Sequence, residues 1–248
     1  MDPIHQFHIN RLFPIAHVGG AEIAFTNSAL FMLISLALIL LLMLGATSRR
    51  ALVPSRLQSV AEASYEFVAE TLRSTAGPEG MKFFPLVFCI FMFILVLNVI
   101  GIVPYTFSVT SHIIITVAFA LLVFLTVIVY GFWKNGLRFL KLFVPRGIPI
   151  YVLPVVVFIE VLSFLSRPVS HSVRLFANML AGHISLKVFG GFATMLAAVG
   201  LVGWFGALVP LGLTVALTAL ELLVAFLQAY VFAILTCIYL NDAIHPSH

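Results

Sequence analysis

The stretch that decides the fold is residues 150–189, which read IYVLPVVVFIEVLSFLSRPVSHSVRLFANMLAGHISLKVF. Most of these residues are aliphatic or aromatic, which is typical of a helix surrounded by lipid. A straight helix of this length would be longer than about 50 Å, whereas the hydrocarbon core of a bilayer is about 30 Å thick. We therefore expect a helix that is strongly tilted or broken, with Pro168 as the position of a bend.

Charged and polar side chains recur in this stretch at helical spacing. Glu160, Arg167 and Arg174 are seven residues apart, close to two helical turns, so all three fall on one face. The same stripe also holds the polar residues Ser163, His171, Asn178 and Ser185. A second stripe, in residues 209–240, holds the polar residues Thr214, Thr218, Glu221 and Gln228. Because polar groups in lipid must be satisfied within the protein, the two stripes are predicted to pair with each other or to line a wet path.

The composition of the whole chain places it in a membrane. Of its 248 residues, 62% are hydrophobic and 9% are charged. Soluble domains carry about 25% charged residues, so this supply is too small to cover a surface in water. Both cysteines, Cys89 and Cys237, lie in apolar runs without metal-ligand spacing and are expected to be buried thiols. The sequence has no Gly-rich phosphate-binding loop and no catalytic constellation, so we expect no nucleotide chemistry.

Outward from the central stretch, other apolar runs have the length of about 20 residues that crossing a bilayer requires. They cover residues 24–44, 83–103, 112–133 and, beyond a glycine-rich break, 209–240. Residues 55–75 differ, because Glu62, Glu66 and Glu70 fall on one face and apolar side chains on the other. This pattern predicts an amphipathic helix at the membrane interface or, alternatively, a cytosolic helix packed on a partner.

The fold class predicted from these runs is an all-α polytopic membrane protein that forms one membrane domain. It has about five crossings, an interfacial helix and a long, tilted C-terminal helical hairpin made of the two long segments. Lysine and arginine set the orientation, since residues 45–82 and 134–146 hold nine of them and the N-terminal segment 1–23 holds only Arg11. The N-terminus is therefore predicted outside and the C-terminus in the cytoplasm.

The charges of the two long segments are not balanced. The cations Arg167, Arg174 and Lys187 face only the acids Glu160 and Glu221. One interpretation is that these charges only form salt bridges that hold the helices together. The other is that a guanidinium without an internal acid expects one from a partner chain, because arginine stays protonated. The excess of one positive charge favours the second interpretation.

A family resemblance is carried by residues 172–183, which read SVRLFANMLAGH. They resemble the signature of subunit a of F-type ATP synthases, and residues 222–240 resemble the final helix of that family. The resemblance implies a membrane-sector subunit that is not catalytic by itself, and we expect no cofactor, metal or nucleic acid. The long polar N-terminus favours a bacterial cytoplasmic (inner) membrane over a mitochondrial one. Its partners would be peripheral-stalk subunits and a rotating ring of small hairpin subunits that carry mid-membrane carboxylates. Protons would reach each carboxylate by one half-channel and leave by another, so that proton flow is coupled to rotation and ATP synthesis.

The resemblance also implies roles for the polar stripes. Arg174 matches the family's essential arginine, which stands between the two half-channels and favours the ionised carboxylate. His183 and Glu221 match two positions of the outer half-channel, with the acid and the histidine in exchanged places. Asn178 and Gln228 would be neutral hydrogen-bonding liners, with Gln228 near Arg174.

The resemblance implies different roles for the other polar residues of the first stripe. Glu160 resembles an acid of the inner half-channel, and Arg167 lies near the same mouth. His171 is expected either in a channel or in packing, and Lys187 would extend to the outer surface. Two further functions stay open. A secondary transporter would show paired repeats with interrupted helices, and an assembly scaffold without conduction would have dispensable stripes.

Overall fold

A computed structural model describes residues 11–18, 21–48, 54–103, 106–144, 149 and 151–245. Within them the chain forms the strands β1 (Arg11–Val18) and β2 (Ala21–Thr26) and the helices α1 (Asn27–Ser48), α2 (Arg56–Gly80), α3 (Phe84–Ile102), α4 (Ile113–Asn135), α5 (Leu153–Ala197) and α6 (Leu201–Ile244). Short 3₁₀ turns occupy Met81–Phe83, Val109–Ser111 and Gly136–Phe143. Arg49, Arg50 and Arg146, which contribute to the predicted orientation, lie outside the described residues.

Five helical segments of the described chain are long and apolar enough to cross a membrane. They are Asn27–Ser48, Arg56–Ile102, Ile113–Leu140, Leu153–Ala197 and Gly203–Ile244. The second segment joins α2 and α3 because the 3₁₀ turn between them is itself helical. The prediction of an all-α polytopic membrane protein is therefore confirmed.

The N-terminal β-hairpin is a feature that the sequence does not predict. Its strands pair antiparallel, from Arg11 opposite Thr26 to Val18 opposite Ala21, and the register shifts at two points. Such shifts remove the strict alternation by which a strand is recognised in a sequence. The hairpin leads directly into α1, where Asn27 Oδ1 accepts a hydrogen bond from the N–H of Ser28 (2.9 Å) and so satisfies one of the free donors of the helix start.

Helix α2 has the amphipathic pattern expected from residues 55–75. Its buried face includes Val68 and Leu72, whereas Glu62, Glu66 and Glu70 are exposed. The helix is interrupted at Gly77, whose φ of +68° lies in the left-handed region that favours glycine. Its placement at the membrane interface stays a prediction.

Helices α5 and α6 are longer than the segments predicted for the C-terminal hairpin. Helix α5 is continuous through Pro168, so the chain is not broken there, and both a bend at this proline and a tilt of the helix stay predictions. The glycine-rich break is also shorter than expected, because the chain leaves helical structure only at residues 198–200, where Gly200 has a φ of +103°. The close turn requires Gly203, since a Cβ at this position would collide with the carbonyl oxygen of Leu196.

The chain divides into two compact units. Unit 1 consists of Met1–Leu41, Phe93–His112 and Leu175–Gln228. Its buried apolar residues include Leu97, Val109, Leu175, Met179 and Ala225. Within this unit the amide of Asn98 donates a hydrogen bond to the backbone carbonyl of Ala225 (3.3 Å), which ties α3 to α6 at a buried point.

Unit 2 consists of Leu42–Met92, Ile113–Arg174 and Ala229–His248. Aromatic side chains dominate its interior, where the ring of Phe67 lies 5.3 Å from that of Tyr230. A second tie joins α4 to α6, since the amide of Asn135 donates a hydrogen bond to the carbonyl of Ala243 (2.7 Å). The expectation of two buried thiols holds for Cys237, which is buried in this unit, and is wrong for Cys89, which is exposed along α3.

Candidate functional site

The structure brings His183 of α5 and Glu221 of α6 together in unit 1. Nδ1 of the imidazole lies 3.1 Å from Oε1 of the carboxylate, and the two side chains are 9% and 4% exposed. The other ring nitrogen, Nε2, lies 2.9 Å from Oγ of Ser108. The imidazole thus bridges a carboxylate and a hydroxyl, with both of its nitrogens engaged in a buried setting.

Gly182 explains why the carboxylate can lie so close to α5. A Cβ at this position would stand 2.5 Å from Oε1 of Glu221 and 3.1 Å from its Cγ, so any side chain here would displace the acid. Glycine inside a helix costs about 0.5–1 kcal/mol relative to alanine. Gly182, next to His183, therefore destabilises α5 slightly, and its missing side chain leaves room for the Glu221 carboxylate.

The carboxylate of Glu221 is buried without a hydrogen-bond donor of its own. Neither of its oxygens accepts a hydrogen bond of acceptable geometry from the described residues, although Nδ1 of His183 is near. A buried ionised carboxylate needs partners, because losing water without replacement is costly. The surroundings of Glu221 thus lack the donors that an ionised carboxylate requires among the described residues.

A cavity of about 320 Å³ adjoins Glu221 between the parts of α5 and α6 that belong to unit 1. Its polar lining comes from Asn178, Ser185, Glu221 and Gln228, so three of the residues predicted for the outer half-channel share one space. A water molecule occupies about 30 Å³ in the liquid, so the cavity has room for several.

Several hydroxyls of the two stripes are satisfied by their own helices. The side chains of Ser185, Thr214 and Thr218 each donate to the backbone carbonyl four residues earlier, at 2.8–2.9 Å. This pattern is common for hydroxyl side chains in helices and requires no second helix. The hydroxyl groups of these three residues therefore have an acceptor in their own helix and need no water. The carboxylate oxygens of Glu221, in contrast, have no donor among the described residues.

Arg174 is exposed on α5 and forms no ion pair with an acid of the described residues. The salt-bridge interpretation of the stripe consequently does not apply to this side chain within the described part of the chain. Asn178 follows one helical turn later on the same helix and is also exposed. The expected proximity of Gln228 to Arg174 stays a prediction.

Arg167 has an acidic partner that the charge count from the sequence left out. Its Nη1 lies 2.7 Å from Oδ2 of Asp242, and the two side chains are 20% and 13% exposed. The guanidinium also lies over the rings of Phe164 and Tyr239, at 5.2 and 4.9 Å from their centroids. The inferred excess of one positive charge is therefore wrong as counted, because Asp242 lies just beyond the predicted end of the last helix.

The remaining predicted site residues have separate surroundings. His171 is buried in unit 2, where its ring centroid lies 3.7 Å from that of Phe232, and its Nε2 has no hydrogen-bond partner among the described residues. Glu160 is half-buried and forms no ion pair with a described residue. Lys187 is likewise half-buried on α5. These contacts favour packing for His171 and leave Glu160 available to solvent or a partner.

These observations define a class of membrane protein. It is an all-α multi-pass chain with a buried histidine–carboxylate couple beside a cavity, and with an arginine that pairs with no acid of the described residues. Comparison with known proteins gives the family. The model of the ATP synthase A chain family matches residues 29–241, and the chain belongs to that family. An ATP synthase subunit a from Rhodopseudomonas palustris is 73% identical over 247 residues, which cover 100% of this chain and 99% of that protein. Similar proteins of the same name from Nitrobacter winogradskyi and Nitrobacter hamburgensis are each 71% identical over 248 residues and the full length of both chains.

Membership in this family determines the general role of the chain. It is a subunit of the membrane sector of a proton-translocating ATP synthase. Its relatives are bacterial and its helices are suited to crossing a membrane, so it is a multi-pass protein of the bacterial inner membrane. The family assignment replaces the secondary transporter as an interpretation of the charged stripes.

Proposed function

We propose that this chain conducts protons through two offset half-channels where it meets the rotating ring of small hairpin subunits. Each ring subunit would bring one mid-membrane carboxylate past Arg174. Proton flow would thereby be coupled to rotation and to ATP synthesis, with peripheral-stalk subunits holding the chain against the moving ring. The observation that carries the proposal is the buried contact of His183 with Glu221 beside a cavity large enough for water.

Arg174 would act as the electrostatic separator between the half-channels. Its guanidinium is permanently charged, exposed along α5 and without an acid among the described residues, so a carboxylate of the ring can become its partner. Two unit charges 4 Å apart interact by about 4 kcal/mol at an effective dielectric constant near 20. An attraction of this size stabilises the ionised carboxylate and still allows the ring to move on. The same positive charge repels a hydrated proton and so opposes a direct leak.

His183 and Glu221 would transfer protons in the outer half-channel. An imidazole can accept a proton at one nitrogen and release one from the other, which makes it suited to a relay. Glu221 has two buried oxygens without hydrogen bonds from the described residues and borders the cavity shared with Asn178 and Gln228. A proton released from Glu221 would pass through this cavity, beside the two amide side chains, to the ring.

The inner half-channel would begin near Glu160, which is half-buried and has no ion-pair partner among the described residues. Arg167 would have a structural role at this half-channel and would not carry protons. Its ion pair with Asp242 supports a role in holding α5 against α6 within unit 2. We assign Glu160 to proton exit toward the cytoplasm, with the N-terminus outside, and Arg167 to positioning this end of α5.

The experiment that tests the proposal replaces Arg174 by alanine in the complete ATP synthase. Inverted membrane vesicles are assayed for ATP-driven proton pumping and for its blockade by a reagent that modifies carboxylates, both relative to the amount of assembled complex. We expect Arg174→Ala to abolish pumping and Arg174→Lys to restore little of it, because lysine lacks the planar fork of the guanidinium. Unchanged pumping and unchanged blockade in Arg174→Ala would instead indicate a scaffold without conduction.

A further inference from the structure

A chain of polar side chains leads away from the His183–Glu221 couple within unit 1. Nε2 of His183 lies 2.9 Å from Oγ of Ser108, and this oxygen lies 2.7 Å from Oγ of Ser111. Ser108 and Ser111 belong to the connection between α3 and α4, which was not assigned a role from the sequence. Together with the 3.1 Å contact between Nδ1 and Glu221, the four side chains form one continuous path.

The path is shielded from its surroundings along its whole length. Exposed fractions are 2% for Ser108, 4% for Ser111, 8% for His183 and 4% for Glu221. The residue after Ser111, His112, is only partly buried, so the path approaches the surface of the chain at this turn. A buried line of hydrogen-bonding groups that starts near a surface and ends on a carboxylate has the form that proton transfer requires.

Every member of the path can take up one proton and release another. A serine hydroxyl has one donor and two acceptor positions, and a neutral imidazole has one donor and one acceptor nitrogen. Two apolar side chains of the same connection, Phe107 and Val109, are also buried.

We propose that Ser111 and Ser108 relay protons from the α3–α4 connection to His183, and so form the outer part of the path that ends on Glu221. This inference rests on the proposed proton-translocation function. A hydronium ion at the mouth gives a proton to the oxygen of Ser111, whose own hydroxyl proton passes to the oxygen of Ser108. The O–H bond of Ser108 breaks as its proton joins Nε2 of His183, and the Nδ1–H bond breaks as that proton joins Oε1 of Glu221.

One proton enters this sequence and one arrives on the carboxylate, with no oxidant or other reactant needed. The hydroxyls and the imidazole are left with their donor and acceptor positions exchanged. Rotation of the two hydroxyl groups and exchange of the imidazole tautomer restore the starting arrangement before the next proton.

Two neighbouring residues indicate that this alignment is specific. A Cβ at Gly101 of α3 would stand 3.0 Å from Oγ of Ser108 and 3.4 Å from Nε2 of His183, so the absence of a side chain there leaves room for their contact. Thr110 lies between the two relay positions in sequence and is fully buried, yet its hydroxyl has no hydrogen-bond partner among the described residues. Burial in this turn is therefore not enough to bring a hydroxyl into the path.

The test uses the complete ATP synthase in inverted membrane vesicles and measures ATP-driven proton pumping per assembled complex. Ser108→Ala and Ser111→Ala are each expected to lower pumping about tenfold or more, since a positioned proton-transfer group contributes about 10²–10⁴-fold to a rate. Ser111→Thr keeps the hydroxyl and should pump at close to the wild-type rate. Thr110→Val is the matched control, because it removes a buried hydroxyl of the same turn that lies outside the path, and it should leave pumping unchanged.

Wild-type pumping by both alanine variants would overturn the relay. A loss in Ser108→Ala with full pumping in Ser111→Ala would also overturn it, since that pattern is expected when Ser108 only orients the imidazole. If Ser108→Ala does not assemble, Ser111→Ala and its threonine counterpart decide the question alone. Glu221→Gln in the same vesicles separates the two proposals: loss of pumping there with normal serine variants rejects only the relay, whereas normal pumping in Glu221→Gln removes Glu221 from the proposed path.

Discussion

Gly182 and Glu221 face each other so closely in unit 1 that a methyl group at position 182 would stand 2.5 Å from the carboxylate oxygen Oε1. This is the same oxygen that lies 3.1 Å from Nδ1 of His183. The glycine thus determines where the acid lies relative to the histidine that precedes it in the proposed relay. Its role is positioning, because it has no group that could carry a proton.

Gly182→Ala is expected to reduce ATP-driven proton pumping by about tenfold or more per assembled complex, because the added methyl displaces Glu221 from His183. Forcing an extra methyl group into a packed site costs about 1–3 kcal/mol, so the complex should still assemble. Gly190→Ala is the matched control, since a Cβ at that position of the same helix meets nothing within 4 Å. Equal pumping by the two variants would show that the close approach of Gly182 is irrelevant to conduction.

Glu221→Gln tests the acid itself while keeping its shape. The amide cannot pass a proton by ionising, so we expect driven proton flow to fall by about 10²-fold in vesicles with a normal content of the complex. His183→Glu combined with Glu221→His places the two groups in exchanged order and should recover part of the flow, because the couple needs one acid and one imidazole. Recovery that is no better than in either single exchange would argue against a relay between the two positions.

The sequence predicts the local parts of this site better than the parts that depend on distant packing. Helical spacing places Arg174, Asn178 and Ser185 on a polar stripe, and the structure has them on one continuous helix. The family resemblance predicts that His183 and Glu221 act as a pair. Residue spacing within each helix cannot predict this contact, because it does not show how two helices align. Ser108 has no such signal, because it lies in a connection without periodicity and acquires its partner only when α3 and α5 pack together.

Errors in element ends account for the other differences. The last helix was expected to end at residue 240, and the structure extends it to Ile244, so Asp242 was left out of the charge count although it pairs with Arg167. Glycines at 190 and 191 were expected to end the preceding helix, but α5 continues through them to Ala197. The N-terminal hairpin was missed because its irregular register leaves no regular alternation.

The ion pair of Arg167 with Asp242 gives a third prediction, which separates positioning from conduction. Asp242→Asn and Arg167→Gln should each destabilise the purified complex, and the double variant should cost little more than either alone. For a hydrogen-bonded, partly buried pair we expect a coupling of about 1–3 kcal/mol from a double-mutant cycle on thermal unfolding. Proton pumping should fall only in proportion to the loss of assembled complex. A larger fall in Arg167→Gln would place this arginine in the inner half-channel.

The tight turn between α5 and α6 gives a fourth prediction, which concerns assembly of the helical hairpin rather than proton transfer. A Cβ at Gly203 would collide with the backbone carbonyl of Leu196, and backbone cannot move away as a flexible side chain can. Gly203→Ala should therefore force the turn apart and lower the yield of folded subunit, with a cost of about 1–3 kcal/mol or more in stability.

Gly212→Ala is the control on the same helix, because a Cβ there meets nothing within 4 Å. That variant should be neutral or more stable by about 0.5–1 kcal/mol, as glycine inside a helix is less favourable than alanine. Resistance of the membrane-inserted subunit to limited proteolysis measures both effects, and equal resistance of the two variants would contradict a turn that depends on Gly203.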